Sequence, residues 1–273
     1  MASSGGAPTD QLSLELESSL PGLPAILRPM IARHHPTPFD SVDHLFEPSW
    51  GGRRALAFLE AAVSESPDND GAFLTADGRP SLRLLDPALR DLAPRLPELS
   101  EMPSRIDARS AVVDGELVVV TASGRPDPSG LEDRLAGRPG PPVAYLVFDL
   151  LYLDGRPLLA EPLYRRRALL RRILAPGESV VAVPAIPAEG LALHDAVSGQ
   201  GLAGVLARVR SSPYLPGVRS RLWRSIPAGP PVEPAAGPDG SALQDPGIGP
   251  VPTFGSPVLA LIARLPLPFP DED

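Results

Sequence analysis

The sequence predicts an α/β (α+β) domain, and three features carry that expectation. Two apolar runs rich in β-branched and aromatic residues, 112–118 and 147–155, read as strands that end near turn signals. The arginine-rich stretch 161–174 reads as a helix, with Leu163, Leu170 and Leu174 on one face. A chain of 273 residues with 43% hydrophobic content can fill one large domain or two small ones. The two strand-like runs also carry acidic residues, Glu116 in the first and Asp149 and Asp154 in the second. A strand that delivers Glu116 to a pocket reads this way. So does an ordinary strand pair with hairpin carboxylates, and composition alone favours that plainer reading.

Taken in order, residues 1–22 read as a loosely attached leader, with Leu12, Leu14, Leu16 and Leu20 among serines and acids. Residues 23–33 form a short structured lead-in. His34-His35 invites a metal reading, but with no cysteine and no other histidine beside them, solvated loop histidines are the commoner case. Gly51-Gly52 marks a tight turn that feeds a strand from Arg53 onward. After a polar loop at 63–71, residues 72–74 and 81–85 suit a hairpin. Residues 86–99 look helical, with Asp86 as N-cap, Pro87 in the first turn and Pro94 limiting the length. A turn at 121–124 and a Pro/Gly-rich link at 137–142 follow. The arginines of the 161–174 helix suit either a phosphate-binding face or, more commonly, a solvated surface. Val180 to Val183 is a short strand, and 191–200 a helix stopped by Gly201.

From Pro227 the composition shifts. Residues 227–273 hold 12 prolines, 6 glycines and 6 acidic residues against one arginine, Arg264. Such a segment buries too little surface to offset its ordering entropy, so a disordered tail is expected. Within it, 257–263 is apolar enough to dock or to bind a partner.

Composition also excludes. No cysteine means no disulfide and no thiolate metal site. No run approaches the roughly 20 apolar residues that span a bilayer, so a cytoplasmic protein is expected. The net charge of −8 and pI of about 5.1 argue against a strong sequence-independent grip on nucleic acid. All 25 basic residues are arginine. Arginine stays protonated, whereas a lysine can lose its proton and become a nucleophile. Mechanisms that need a lysine amine are closed to this chain.

The ordered segments resemble the adenylation (nucleotidyltransferase) domain of ATP-dependent DNA ligases, particularly the bacterial end-joining type. The family signature Glu-x-Lys-x-Asp-Gly-x-Arg stands here as Glu47-Pro48-Ser49-Trp50-Gly51-Gly52-Arg53-Arg54. Its Asp-Gly-Glu strand is similar to Asp114-Gly115-Glu116, and its Val-Phe-Asp-Leu-Leu-Tyr-Leu-Asp-Gly segment matches 147–155 residue for residue. Its Glu-Gly-Val-Val-Ala-Lys strand resembles Ala203-Gly204-Val205-Leu206-Ala207-Arg208, and its Ser-Pro-Tyr-x-Pro-Gly pattern begins at Ser212 and leads to Trp223. The likeness covers about 23–226. It implies an ATP-grasp-like fold of antiparallel sheets flanked by helices, and three segments: leader 1–22, adenylation-like domain 23–226 and tail 227–273.

The departures from that pattern fall on the chemistry. The resemblance places the AMP-carrying lysine at Ser49, so no catalytic residue is assigned. The signature aspartate becomes Gly51, and the strand glutamate that helps place metal becomes Ala203. Its partner lysine becomes Arg208, and the last lysine positions become Ser225 and Pro227. Nucleotidyl transfer depends on such charges, each contact being worth on the order of 10³-fold or more. By resemblance, Glu47 contacts the adenine edge, Arg54 the ribose or a phosphate and Glu116 the ribose, while Phe148 stacks on the base; Arg208, at a family lysine position, completes the implied cofactor-binding set. The implied cofactors are ATP and Mg²⁺, their binding here weak or absent. The implied partners are DNA or DNA-repair proteins, with no OB domain in this chain. A catalytically inactive ligase homologue linked to DNA repair and recombination is the first expectation. An active ATP-dependent ligase and an interaction scaffold without ligand are the alternatives. Serine needs an adjacent base to act as nucleophile, and the spacing of His44 from Ser49 assures none.

Overall fold

The computed structural model of the chain describes residues 22–61, 80–121, 124–175 and 177–229. All of the expected leader but Gly22, the residues 63–74 of the expected polar loop and hairpin, and nearly all of the expected tail lie outside them. Two sheets dominate. The first takes the order β1 (Ile31–His34), β11 (Arg219–Pro227), β10 (Gly204–Val209), β2 (Ser41–Ser49), β9 (Ile186–Ala188). The second runs β4 (Ser81–Leu85), β3 (Arg53–Glu60), β5 (Ser110–Val118), β6 (Ala144–Leu153), β7 (Arg156–Pro157), with β8 (Val180–Ala182) also on β6. Pairing is antiparallel except for β1 on β11 and β8 on β6.

The two strands that organise the sequence do pair, β5 antiparallel to β6 with Glu116 opposite Leu146. Yet β6 is not half-buried: all of it but Leu153 is shielded from solvent. It lies between two layers, and each face needs its own apolar set. On one side Tyr145, Val147 and Leu150 pack with Leu170 and Leu174 and with the short helix α1 (Pro128–Leu135) through Leu131 and Leu135. Leu170 belongs to α2 (Leu163–Ile173). On the other side Leu146 and Phe148 meet Phe46, Val205 and Ala207 of the first sheet, together with Leu193 and Val197 of α3 (Gly190–Gly199).

Glycine is required where β5 meets β6. A Cβ on Gly115 would stand 2.5 Å from Tyr145 Cζ and 2.6 Å from the Leu146 carbonyl oxygen. Tyr145 thereby passes over the strand and donates its hydroxyl to the Ala55 carbonyl at 2.8 Å.

Three expectations change. The 86–99 stretch is no α-helix. Asp86 Oδ1 instead accepts from the N–H groups of Ala88 and Arg90 (2.9 Å each), Leu89 sits at φ 65°, and only 3-10 turns form at Ala93–Arg95 and Pro97–Leu99. Pro94 and Pro97 remove the donors that a longer helix needs. Helix α1 was not expected, although Asp127 caps it through the Gly130 N–H (2.9 Å) and Pro128 opens it. The arginines of α2 are not all solvated: Arg166 and Arg167 are buried. The expected strand Ser81–Leu85 does form, and among the described residues it pairs with β3.

Candidate functional site

The site lies between the two sheets, where β2, β10 and β11 of one face β3, β5 and β6 of the other. Alternation along β2 turns Glu47 inward, where it is 1% exposed. A buried carboxylate needs partners, and two arginines supply them. Arg167, from α2, donates to Glu47 Oε1 and also to the carbonyls of Phe148 (2.7 Å) and Val183 (2.6 Å). Arg208, from β10, brings Nη1 to 3.0 Å from Glu47 Oε2. That contact is a charge pair without hydrogen-bond alignment, and Arg208 Nε, Nη1 and Nη2 meet no acceptor among the described residues.

Arg208 is held by rings instead. Its Cζ stands 4.0 Å from the Phe148 centroid and 4.4 Å from that of Trp223, in a slot with no exposure. Burial, with the nearby Arg54 charge, lowers its pKa, and Glu47 only partly opposes this. Arg54 approaches the same ring at 4.7 Å. Its own guanidinium grips Asp114 with a two-point fork, Nε to Oδ1 at 2.6 Å and Nη2 to Oδ2 at 2.5 Å. Burial alone would lower the Arg54 pKa; the Asp114 charge and hydrogen bond outweigh it and raise the value. Tyr214 adds a third bond, its hydroxyl donating to Asp114 Oδ2 at 2.6 Å. Behind this layer Arg166 forks onto Asp149 (2.8 and 2.7 Å), both fully buried.

Glu116 serves the glycine turn. Its Oε1 accepts from the Gly52 N–H at 2.5 Å and its Oε2 from Trp50 N–H at 3.5 Å. Burial raises its pKa above the usual carboxylate value, against the pull of those N–H groups and of Arg54. The cluster thus carries four guanidinium groups, Arg54, Arg166, Arg167 and Arg208, against four carboxylates, Glu47, Asp114, Asp149 and Glu116. Its formal charge is zero.

Of the neighbours of Ser49, His44 points elsewhere. Its Nδ1 engages Ser41 Oγ at 2.9 Å, and five residues along a strand separate it from Ser49 by about 17 Å on the opposite face. Arg53 leaves the site to pair with Glu132 (2.5 Å), while Trp50 is buried. His34 is exposed and His35 contacts the Thr37 carbonyl (2.7 Å). Among the described residues no group of three or more His, Cys, Asp or Glu could hold a metal ion, and no helix is long and apolar enough to cross a membrane. The structure brings Glu47, Arg54, Phe148 and Arg208 into one cluster with Glu116 at its edge. Sequence reading missed Arg166 and Arg167; the signal was Asp149, the one charged residue in the otherwise apolar run of β6, whereas Glu47 sits in a strand with polar neighbours that gave no such mark.

The family model for the ATP dependent DNA ligase domain matches residues 81–226, more than half of the chain. The chain belongs to the ATP-dependent DNA ligase family. The matched span begins after the 47–54 segment. Among ligase relatives, a probable DNA ligase of Anaeromyxobacter sp. (strain Fw109-5) is 31% identical over 192 residues, 67% of this chain and 37% of that protein. The multifunctional non-homologous end joining protein LigD of Mycobacterium bovis is 33% identical over 198 residues, 72% of this chain and 23% of its own length. This chain therefore spans roughly a quarter to two fifths of these relatives. Mycobacterial DNA ligase D, solved in complex with ATP and MES, superposes with a TM-score of 0.59 at 28% identity, covering 74% of this chain and 60% of that one. The fold is that of a bacterial-type ligase adenylation domain, α+β with flanking helices.

Proposed function

We propose that this ligase-family domain is catalytically silent and serves DNA repair or recombination without forming an adenylate. The observation that carries this reading is Arg208, whose guanidinium is fully buried 4.0 Å from Phe148 and 4.4 Å from Trp223. The ring face that resemblance assigns to a purine is already covered by a side chain of the protein. ATP fits these residues poorly. Four carboxylates, three of them buried and Glu116 half-buried, balance the four arginines in formal charge, so the cluster offers a triphosphate no net positive charge. Mg²⁺ fits poorly too: Glu116 is committed to backbone N–H groups, and Ala203 offers no ligand atom. Ser49 stands beside Gly204 in the β2–β10 ladder with no base bonded to it among the described residues. Nucleotide binding is therefore weak or absent, and Glu47, Arg54, Glu116, Phe148 and Arg208 act as a charge-neutral cluster filled by the protein's own side chains, with the Arg208 nitrogens lacking an acceptor among the described residues. The end-joining relative named above supports DNA or a repair protein as partner.

The test is incubation of the purified chain with Mg²⁺ and ATP labelled at the α-phosphate, followed by acid lability and mass analysis. No covalent AMP is expected, and calorimetry at millimolar nucleotide should show no heat. A stoichiometric adenylate, or micromolar ATP affinity, overturns the proposal.

A further inference from the structure

Helix α2 has two working faces. Leu163, Arg166, Arg167 and Leu170 point inward, and the two arginines hold Asp149 and Glu47. At helical spacing on the other side, Arg165, Ala168, Leu169 and Arg172 border a cleft of about 540 Å³, whose far wall is the β6–β7 hairpin with Leu153 and Arg156. Its floor is apolar, Leu153 and Leu169 being half-buried and Leu158 buried. Its charges are not balanced. Arg165 is paired with Glu161 at 3.4 Å, and Asp154 accepts from the N–H groups of Arg109 and Ser110. Exposed Arg156 and Arg172 have no carboxylate partner among the described residues. An apolar floor with two unpaired guanidinium groups on opposite rims suits an extended ligand that is apolar along its length and acidic at one end.

The chain itself contains such a ligand. Residues 265–273 read Leu-Pro-Leu-Pro-Phe-Pro-Asp-Glu-Asp, with apolar side chains at every second position and then the only run of three acidic residues in the sequence. We propose that the cleft between α2 and the β6–β7 hairpin is the docking site of this acidic segment, Leu267 and Phe269 on the apolar floor and residues 271–273 between Arg156 and Arg172. Reach does not restrict the choice. Thirty-five residues lie between Gly229, the last one described, and Leu265, a contour of about 120 Å when extended. Alternating prolines lower the ordering entropy lost on binding as an extended strand. This inference does not depend on the nucleotide pocket being silent.

The absence of native cysteine allows a direct test on the full chain. Ala168→Cys sits in the cleft and Pro270→Cys precedes the acids. The control pair is Ala203→Cys with Pro270→Cys; Ala203 is exposed and bonds Ala228, so it lies nearer the point where residue 230 begins. At equilibrium in a glutathione buffer, the ratio of intramolecular disulfide to reduced chain reports the effective concentration of the segment at each site. Docking requires at least a ten-fold excess for the cleft pair, lost when Arg156→Ala and Arg172→Ala are added or when the acids become Asn, Gln and Asn. Equal ratios at the two sites overturn the proposal, as does an excess that survives loss of the arginines. A disulfide that forms between chains rather than within one overturns it in favour of a second copy as occupant.

Discussion

Arg208 and Phe148 stand 4.0 Å apart, guanidinium carbon to ring centroid, and the Trp223 ring centroid lies 4.4 Å from the same carbon. A desolvated cation–π contact contributes about 2 kcal/mol, but the same burial strips Arg208 of water without giving its three nitrogens acceptors. The pair fills space more than it satisfies charge.

Arg208→Met is therefore expected to change stability by less than about 1.5 kcal/mol, because an apolar chain of similar length fills the slot and Glu47 keeps Arg167. Arg208→Ala leaves a cavity and should cost about 2–4 kcal/mol. Arg167→Met should be worse, about 3–5 kcal/mol, since Glu47 loses its bonded cation and the Phe148 and Val183 carbonyls lose their donors. Urea unfolding ranks the three; Arg208→Met more damaging than Arg167→Met contradicts the assignment.

Glu116 gives a pH signature. Burial raises its pKa above 4.5 in the folded state, so the fold holds this proton more tightly than the unfolded chain. Its contribution to stability is present below pH 4.5 and is lost as pH rises through the folded value. The unfolding free energy of Glu116→Gln relative to the native chain should accordingly grow between pH 4 and pH 7. A difference that stays flat or shrinks across that window refutes the account.

Glu98 has the opposite sign. It accepts from Arg134 Nη2 with both oxygens (2.8 and 2.9 Å) and from the Val143 N–H (2.8 Å). Against the effect of burial, these bonds hold its pKa below 4.5. Its stabilisation exists above pH 4.5 and fades as pH falls. Glu98→Gln should cost about 1–3 kcal/mol at pH 7, and thermal melts of the two proteins should converge by pH 3.

Gly115→Ala tests the crossing of Tyr145 over β5. The added methyl meets backbone and ring at 2.6 and 2.5 Å, and neither the Leu146 carbonyl nor a tyrosine tied to Ala55 can yield easily. A loss of about 1–3 kcal/mol is expected. Gly137→Ala meets nothing within 4 Å but sits at φ 81°; it should cost less, since only backbone strain opposes it.

Much of the fold was legible because local signals agreed with burial. Strands β3, β5 and β6 and helices α2 and α3 are continuous apolar or amphipathic runs with turn residues at their ends. The 86–99 stretch misled because Asp86 and Pro87 suit a helix start and an Asx turn equally, and Pro97 decides between them only when weighed with Pro94. Helix α1 was hidden by Gly130 in its first turn, although Asp127-Pro128 and the Leu131/Leu135 pair mark it. For the site, position came from the ordered motifs, but partnership did not. Arg166 and Arg167 look like members of a solvated run, and nothing in their spacing says that two successive arginines turn inward. That follows from Asp149 and Glu47, buried acids on two different sheets, each of which requires a cation from a third element.

The reach of Arg167 has a mechanical consequence. It starts from the helical layer behind the second sheet, bonds Phe148 and Val183 on the way, and ends on Glu47 of the first sheet. A single side chain thus bolts three layers together, so sliding of one sheet past the other has to unfasten this tie before any apolar contact parts. The two halves of the domain should move as one block on the microsecond timescale at which sheets joined by packing alone are free to shear.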